Sequence, residues 1–390
     1  MGMIRIEDGG NRALTGVPAE LAAPRGQRAS RSRSMNGSRA AMASSRVDAC
    51  LATVGAAAPC VNAQSHAHRA FAGTRSYLQT VTPKIIVFGS INIDLTFRVP
   101  HLPSVGETVL TPAFSQAVGG KGANQAIAAA RDGALASFIG CVGNDMFGTS
   151  ARAALADLGI EISGLKTVPG STGLAAVWVD GDGHNQIAVA SGANSTLKAD
   201  ALCDREIGPS TFLVLQMETS PAEVEAAIAH ARHRGAHVIL NLAPALPLPA
   251  PALREVAILV LNEHEATVLC SLLALPQVEP AEQVAALARH LNTTVIITLG
   301  RAGAIGARGG TLWRVDALAV PAIDTTGAGD CFVGVLAAAL SRGAAIGDAM
   351  QRAAAAGSLA CTIVGAMPSF PTGDQIDGAL ADAVQPQTKG

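Results

Sequence analysis

Lys84-Ile85-Ile86-Val87-Phe88-Gly89 decides how the rest of this 390-residue chain is read. Four apolar residues in a row, closed by glycine, describe a strand buried on both faces; a strand with one wet face would alternate. The same signature returns at residues 138–142, 212–216, His237–Asn241, Ile258–Asn262 and 294–299, with Ala-rich helical stretches such as 123–131 between the runs. Strands and helices alternating on this scale predict an α/β fold, with a mainly parallel sheet covered by helices on both faces.

One region departs from that rhythm. Gly173–Val179 and Asn185–Ala190 flank Asp180-Gly181-Asp182-Gly183, a strong hairpin turn. Joined by residues 95–99 and 107–111, this hairpin predicts a small antiparallel lid beside the main sheet, at approximately 95–118 and 171–191. No internal repeat is evident.

Composition narrows the class. Hydrophobic residues make up 49 % of the chain, enough for a large core, while the 3 % of aromatic residues is too little for a surface that stacks nucleic-acid bases. Apolar runs such as 332–340 fall far short of a membrane span. The seven cysteines (Cys50, Cys60, Cys141, Cys203, Cys270, Cys331, Cys361) are widely spaced with no C-x-x-C pair, the pattern of reduced thiols rather than of disulfides or a zinc site. Cys331 reads as a small buried residue. Ten of the 28 basic residues but only four of the 30 acidic ones fall in residues 1–82, so the remainder carries 18 against 26, a net charge of −8. No basic face for nucleic acid follows from that balance.

Residues 1–82 are rich in Arg, Ser, Ala and Gly without sustained periodicity. They fit an organellar transit peptide with a linker, a disordered extension, or a mis-assigned start with Met35 and Met42 as internal alternatives. His66 and His68 within them make no metal site. The expected division is thus 1–82, a folded domain over 83–378, and a tail over 379–390. The compartment is the cytoplasm, or a plastid or mitochondrion if 1–82 acts as a leader. His230, His233 and His237 do not converge, because Gly235 interrupts any helix between them.

Polar residues at the ends of the apolar runs carry the chemistry, since ligands of open parallel sheets bind at the carboxyl ends of strands. Asn92 and Asp94, just past the first strand, suit a grip on vicinal hydroxyls or an Asx turn. Gly119-Gly120-Lys121-Gly122-Ala123-Asn124 opens a helix and lacks the Walker A ending. It offers backbone amides, Lys121 and Asn124 to a polar, uncharged ligand, or it is a plain turn and cap. Gln216-Met217-Glu218 ends another strand. Asn262 and Glu265 are one helical turn apart, and Glu265 suits magnesium through water or is an ordinary acid in a first turn. Thr298-Leu299-Gly300-Arg301-Ala302-Gly303 is a glycine-lined approach for nucleotide phosphates, with no G-x-G-x-x-G.

Asp324-Thr325-Thr326-Gly327-Ala328-Gly329-Asp330 then empties into the helix that begins near Cys331. Unpartnered N–H groups at a helix start form a natural anion hole. Asp330 beside it is either a proton acceptor for an attacking hydroxyl or a helix N-cap.

In their order along residues 84–375, Asn92-x-Asp94, the 119–124 stretch, Ser191-Gly192-Ala193-Asn194, Asn262-x-x-Glu265, Thr298-Leu299-Gly300 and the 324–330 turn resemble the PfkB carbohydrate-kinase family, in its ribokinase branch. The resemblance implies a ribokinase-like three-layer α/β/α sandwich with a β-lid through which two copies often pair. It implies transfer of phosphate from MgATP to the 5-hydroxyl of D-ribose, a reaction that a lid protects from water. By that likeness Asn92, Asp94, Gly120, Lys121, Asn124 and Glu218 bind the sugar, Asp330 is the general base, and the amides of Gly327, Ala328 and Gly329 form the anion hole. Asn262, Thr298, Gly300, Arg301 and Gly303 then line the ATP site with Gly329 and Asp330, and Glu265 lies near magnesium. Asp324, Thr326, Ala360, Ile363, Gly365 and Ser369 match the positions that hold an activating potassium ion. Ala354 departs from the Asn or His common near the adenine. Deoxyribokinase, fructokinase or another sugar or nucleoside kinase is the neighbouring reading; a non-catalytic PfkB-like scaffold is the reading from another class. A nucleic-acid binder acting through the Arg-rich 1–82 segment is a distant third, since that segment lacks aromatic clusters and the core is acidic.

Overall fold

The computed structural model describes residues 84–384; the expected leader or extension at 1–82, with Met35, Met42, His66 and His68, lies outside the described residues. The chain runs β1 (Lys84–Phe88), β2 (Asn92–Arg98), β3 (Phe114–Gly119), α1 (Lys121–Arg131), β4 (Ala136–Gly143), α2 (Met146–Asp157) and β5 (Glu161–Val168). It continues with β6 (Gly173–Val179), β7 (Asn185–Ala190), β8 (Thr211–Leu215), α3 (Pro221–His233), β9 (His237–Asn241), α4 (Ala250–Arg254), β10 (Ile258–Asn262), α5 (Glu263–Leu272) and α6 (Pro280–Leu291). The last third holds β11 (Thr294–Thr298), β12 (Ala304–Arg308), β13 (Thr311–Val315), α7 (Ala328–Ser341), α8 (Ile346–Ala360), α9 (Ala366–Ser369) and α10 (Gly373–Val384).

The main sheet has the order β13-β12-β11-β10-β9-β8-β1-β4-β5, parallel from β5 to β11 and closed by the antiparallel strands β12 and β13. The apolar run at its centre explains itself. Ile85 and Val87 point into a core shared with α1, α2, α7 and α8, while Ile86 and Phe88 point into a second core shared with α3, α5 and α6. All four side chains are 0 % exposed. A strand with a helix layer on each side has no wet face on which to place a polar residue. The result is the expected three-layer α/β/α sandwich.

The small sheet has the order β3-β2-β6-β7. Its two outer pairs are antiparallel but β2 and β6 run parallel, because the chain between them leaves through α1, β4, α2 and β5 and returns in the same direction. Residues 107–111 are not one of its strands. Glu107 instead folds back to accept the Ser104 N–H and to meet His101, and the Thr111 hydroxyl donates to the Arg98 carbonyl at 2.6 Å. Pro112 follows with no N–H for a ladder. The strand beside β2 is β3, and β2 itself begins at Asn92 rather than at residue 95, so Asn92 and Asp94 sit in a strand and not in an Asx turn. Past residue 378, α10 continues to Val384, so the expected tail is helical to that point.

Helix α7 is buried almost all round, in keeping with its small and apolar sequence. It crosses α1 closely at Gly334. A methyl group there would lie 2.4 Å from the Gln125 carbonyl oxygen and 2.6 Å from the Ala128 methyl. Beyond the far end of the pair, Asp132 caps α1 with a fully buried carboxylate. It accepts from Arg342 Nη2 at 2.6 Å and from Arg352 Nη2 at 2.5 Å, and its carbonyl accepts from Arg342 Nη1 at 2.7 Å. Arg352 also pairs with Asp377, so one carboxylate ties together the ends of α1 and α7 with α8 and α10. Removing one member of a buried ion pair leaves the others unmatched. Asp132→Ala is therefore expected to lower the free energy of unfolding in urea by about 1–3 kcal/mol, since Arg342 and Arg352 stay in part exposed and Arg352 keeps Asp377. Arg342→Met, at a side chain 42 % exposed, should lower it by clearly less.

Candidate active site

The crossing of α1 and α7 sets Asp330. Gly327, with φ +77°, is the N-cap of α7, so Asp330 is the third helical residue and not the cap. Its carboxylate is buried and accepts from side chains of α1 rather than from its own backbone: Asn124 Nδ2 reaches one oxygen at 3.0 Å and Gln125 Nε2 the other at 3.1 Å. Asp330 and Gly334 share a face of α7 one turn apart, so the close approach at Gly334 is what brings both amides within reach. Of the first-turn amides, Ala328 N–H closes the turn on the Thr325 carbonyl at 3.2 Å. The N–H groups of Gly327 and Gly329 have no such partner among the described residues.

Three cavities meet around this residue. The outer one, about 650 Å³, is lined by Asn92, Lys121, Asn194, Met217, Glu218, Thr219 and Glu265 among others. A junction of about 240 Å³ shares Lys121 and Glu265 with it and adds Asn262, Thr298, Gly327, Gly329 and Asp330. A slot of about 230 Å³ shares Thr298 and Gly329 with the junction. Its walls include Gly300, Arg301, Gly303, Leu318, Val320, Phe332 and Ala354. A larger hollow near Arg131 and Asp348 contains none of these residues.

The outer cavity is ordered by two anchors, buried Asn194 and half-buried Glu218. Asn194 accepts the Ile91 N–H at 2.9 Å and donates to the Asn92 side-chain oxygen at 2.8 Å. Glu218 accepts from the Ser90 hydroxyl at 2.6 Å and from the Lys121 N–H at 3.0 Å, which joins β1 and β8 to the start of α1 at Gly120. Asp94 lies beside Gly119, and its carboxylate takes no hydrogen bond from another described residue. Burial, with the charges of Glu218 and Asp330, pushes its pKa up to about 6. The Asp330 charge, helped by Glu218 and Glu265, holds the Lys121 ammonium above its ordinary value against burial.

Asn262 and Glu265 form a capping box at the start of α5, each side chain bonding the other's backbone N–H at 2.8 Å. Glu265 is buried, which raises its pKa despite the Asn262 N–H and Lys121, so it is not a solvated acid. Asp324 accepts from the Thr326 N–H and hydroxyl on one oxygen and from the Gly365 N–H at 2.8 Å on the other. Burial pushes this carboxyl up, but those bonds and Arg98 outweigh it and hold it below the usual range. The 324–326 turn is thus fixed to the loop of Ile363 and Gly365 between Ala360 and Ser369. Burial raises the Cys331 thiol, which fits a packing role.

Ser90, Gln125, Asn194 and Asn241 are site residues that no functional reading of the sequence had singled out by role. The available signal was position: each is polar, buried, and placed just past an apolar strand or in the first turns of a helix.

Residues 82–373 match the pfkB family carbohydrate kinase family. This chain belongs to that family. The pfkB-family chain is 37 % identical over 291 residues to the ribokinase of Haemophilus influenzae, covering 74 % of this chain and 95 % of that protein. It is 36 % identical over 311 residues to the ribokinase of Schizosaccharomyces pombe, covering 76 % and 97 %. Its fold is similar to the Arabidopsis thaliana ribokinase complexed with ribose and ATP, with TM-score 0.69, 28 % identity, and 77 % and 99 % of the two chains covered. The α/β/α sandwich is therefore the ribokinase-like one, and this pfkB-family chain is a phosphotransferase.

The raised Asp94 pKa has a stability consequence in the pfkB-family chain. Between pH 3.8 and about 6 the folded state holds a proton that the unfolded state releases, so stability falls as pH rises through that window. Asp94→Asn is expected to match the parent below pH 3.8 and to exceed it above pH 6, by about 3 kcal/mol. Thermal unfolding across that pH range checks it.

Proposed function

We propose that this chain transfers the terminal phosphate of ATP to the 5-hydroxyl of D-ribose. The observation that carries the reading is the run of three connected cavities with Asp330 in the wall of the middle one. Sugar in the outer cavity and nucleotide in the slot would meet at Asp330, Gly327 and Gly329. The orphan oxygen of Asn124, buried without a partner, and the unbonded Asp94 carboxylate ask for hydroxyl donors, which a sugar supplies. Asn92, Lys121 and Glu218 complete that grip, with Gly120 setting the turn. The apolar slot with Ala354 suits an adenine, and Asn262, Thr298, Gly300, Arg301 and Gly303 lead from it to the junction.

Asp330 takes the proton of the attacking hydroxyl, and the Gly327 and Gly329 amides face the charge that spreads over the phosphoryl oxygens. Ala328 closes the turn that presents them. Glu265, a carboxylate with one oxygen tied to the capping box, fits magnesium held through water, whose chemistry is to neutralise phosphate charge. The oxygen-only set of Asp324, Thr326, Ala360, Ile363, Gly365 and Ser369 fits potassium. Residues 1–82 support an organellar leader by composition, and Met35 or Met42 as a start supports the cytoplasm.

The test is ATP consumption over pentoses and hexoses, including 2-deoxyribose and fructose, with and without potassium. D-Ribose should turn over best and potassium should raise the rate; equal turnover of fructose would sink the substrate assignment. Asp330→Asn should lower kcat by at least ~10²-fold.

We read the small sheet as a lid through which two copies pair. Phe114, Ile187 and Val189 on it are more than half exposed, and β7 is an unpaired edge. Ile187→Lys should convert a dimer into a monomer in light scattering; a wild-type monomer at working concentration would refute pairing.

A further inference from the structure

We infer that Gln125 and Gln216 are positioning residues that orient Asp330 through a relay of amide polarity. The inference rests on Asp330 acting as the base. An ionised carboxylate only accepts hydrogen bonds, so both groups touching it must present nitrogen. Asn124 Nδ2 does so on one oxygen and Gln125 Nε2 on the other. The same Gln125 nitrogen also donates to Asn241 Oδ1 at 3.1 Å, and Asn241 is held the right way round by its own bond to the Val260 carbonyl. Gln125 Oε1 must then face a donor, and Gln216 Nε2 meets it at 2.7 Å. Each amide fixes the sense of the next. Reversing Gln125 would set oxygen against the Asp330 carboxylate and nitrogen against nitrogen at Gln216.

The far end of the relay points to its purpose. Gln216 Oε1 is buried and has no partner, a state that is unfavourable for a side chain serving only to fill space. An unbranched apolar residue of similar length would fill that volume without it. The one hydrogen bond that the Gln216 side chain does make holds the far end of Gln125 in the sense that Asp330 and Asn241 require. Gln125, Gln216, Asn124 and Asn241 are all buried, so no bulk water replaces a lost partner. With one N–H on each oxygen, the network keeps the plane of the carboxylate fixed.

The charged and titratable groups facing Asp330 are Asp94 of β2, Lys121 of α1, Glu265 of α5 and Cys331 of α7, with Glu218 acting on Lys121 and Asp94. None is altered by changes at 125 or 216. The experiment compares kcat against pH, and KM for both substrates, in Gln125→Leu, Gln216→Met and Gln216→Glu. Loss of a hydrogen bond to a charged group predicts a kcat lower by roughly 10- to 100-fold in Gln125→Leu, with the acid limb moved to higher pH and KM unchanged. Gln216→Met removes the donor that faces Gln125 Oε1, loosening Gln125 against Asp330, and should give the same pattern more weakly. Gln216→Glu draws the Gln125 nitrogen away from Asp330 and should move the acid limb further than Gln216→Met does.

A parent-like acid limb in folded Gln125→Leu overturns the relay. So do identical pH profiles for the two Gln216 variants, which decide the matter alone if Gln125→Leu does not fold. Asp330→Asn, measured alongside, separates the two layers: full turnover there removes the base and the relay together. An inactive Asp330→Asn with parent-like Gln125 and Gln216 variants removes only the relay.

Discussion

The close crossing of α1 and α7 is the constraint on which the rest of the site depends. With no side chain at Gly334, the α7 backbone lies directly on the Gln125 carbonyl and the Ala128 methyl. That separation lets two side chains of α1 reach a carboxylate one turn earlier on α7. A wider crossing would leave Asp330 buried with nothing to bind, a far worse state than exposure. Packing of two apolar surfaces thus sets the geometry of a buried charge, and the charge in turn sets the direction of every amide around it.

The cleft as a whole is under-compensated. Asp330, Glu218 and Glu265 act on the ammonium of Lys121, and Asp94 faces the charges of Glu218 and Asp330. Burial first, and neighbouring negative charge second, raise the pKa values of Asp94 and Glu265.

Much of this was legible in the sequence, and for definable reasons. The unbroken apolar runs could only be central strands, so β1, β9 and β10 were found at or near their true bounds. The run at 107–111 misled because its alternation imitates a strand while Glu107 and Thr111 use their side chains on nearby backbone. Asp330 stood out by its place after a glycine turn, but its rank as the third helical residue depended on where Gly327 put the cap. Gln125 and Gln216 carried a signal of position only, one in the first turns of a helix and the other at the end of a strand. Their meaning lies in which atom of each amide faces which neighbour, a property that only three dimensions define.

The buried Asp132 clasp gives the α1–α7 pair a second point of attachment. Gln125 meets Asp330 near the start of both helices, and Arg342 meets Asp132 just past their ends. Pinned at both extremities and pressed together at Gly334 between, the two helices act as one stiff beam. The small sheet runs into that beam at the short link from Gly119 to Lys121, where β3 stops and α1 begins, and its Ile93 and Val118 pack into the core the two helices share. At that link the Lys121 N–H donates to Glu218, which lines the outer cavity. The wall of that cavity thus belongs partly to the small sheet, through Asn92 and Val189, whereas Asp330 belongs to the beam.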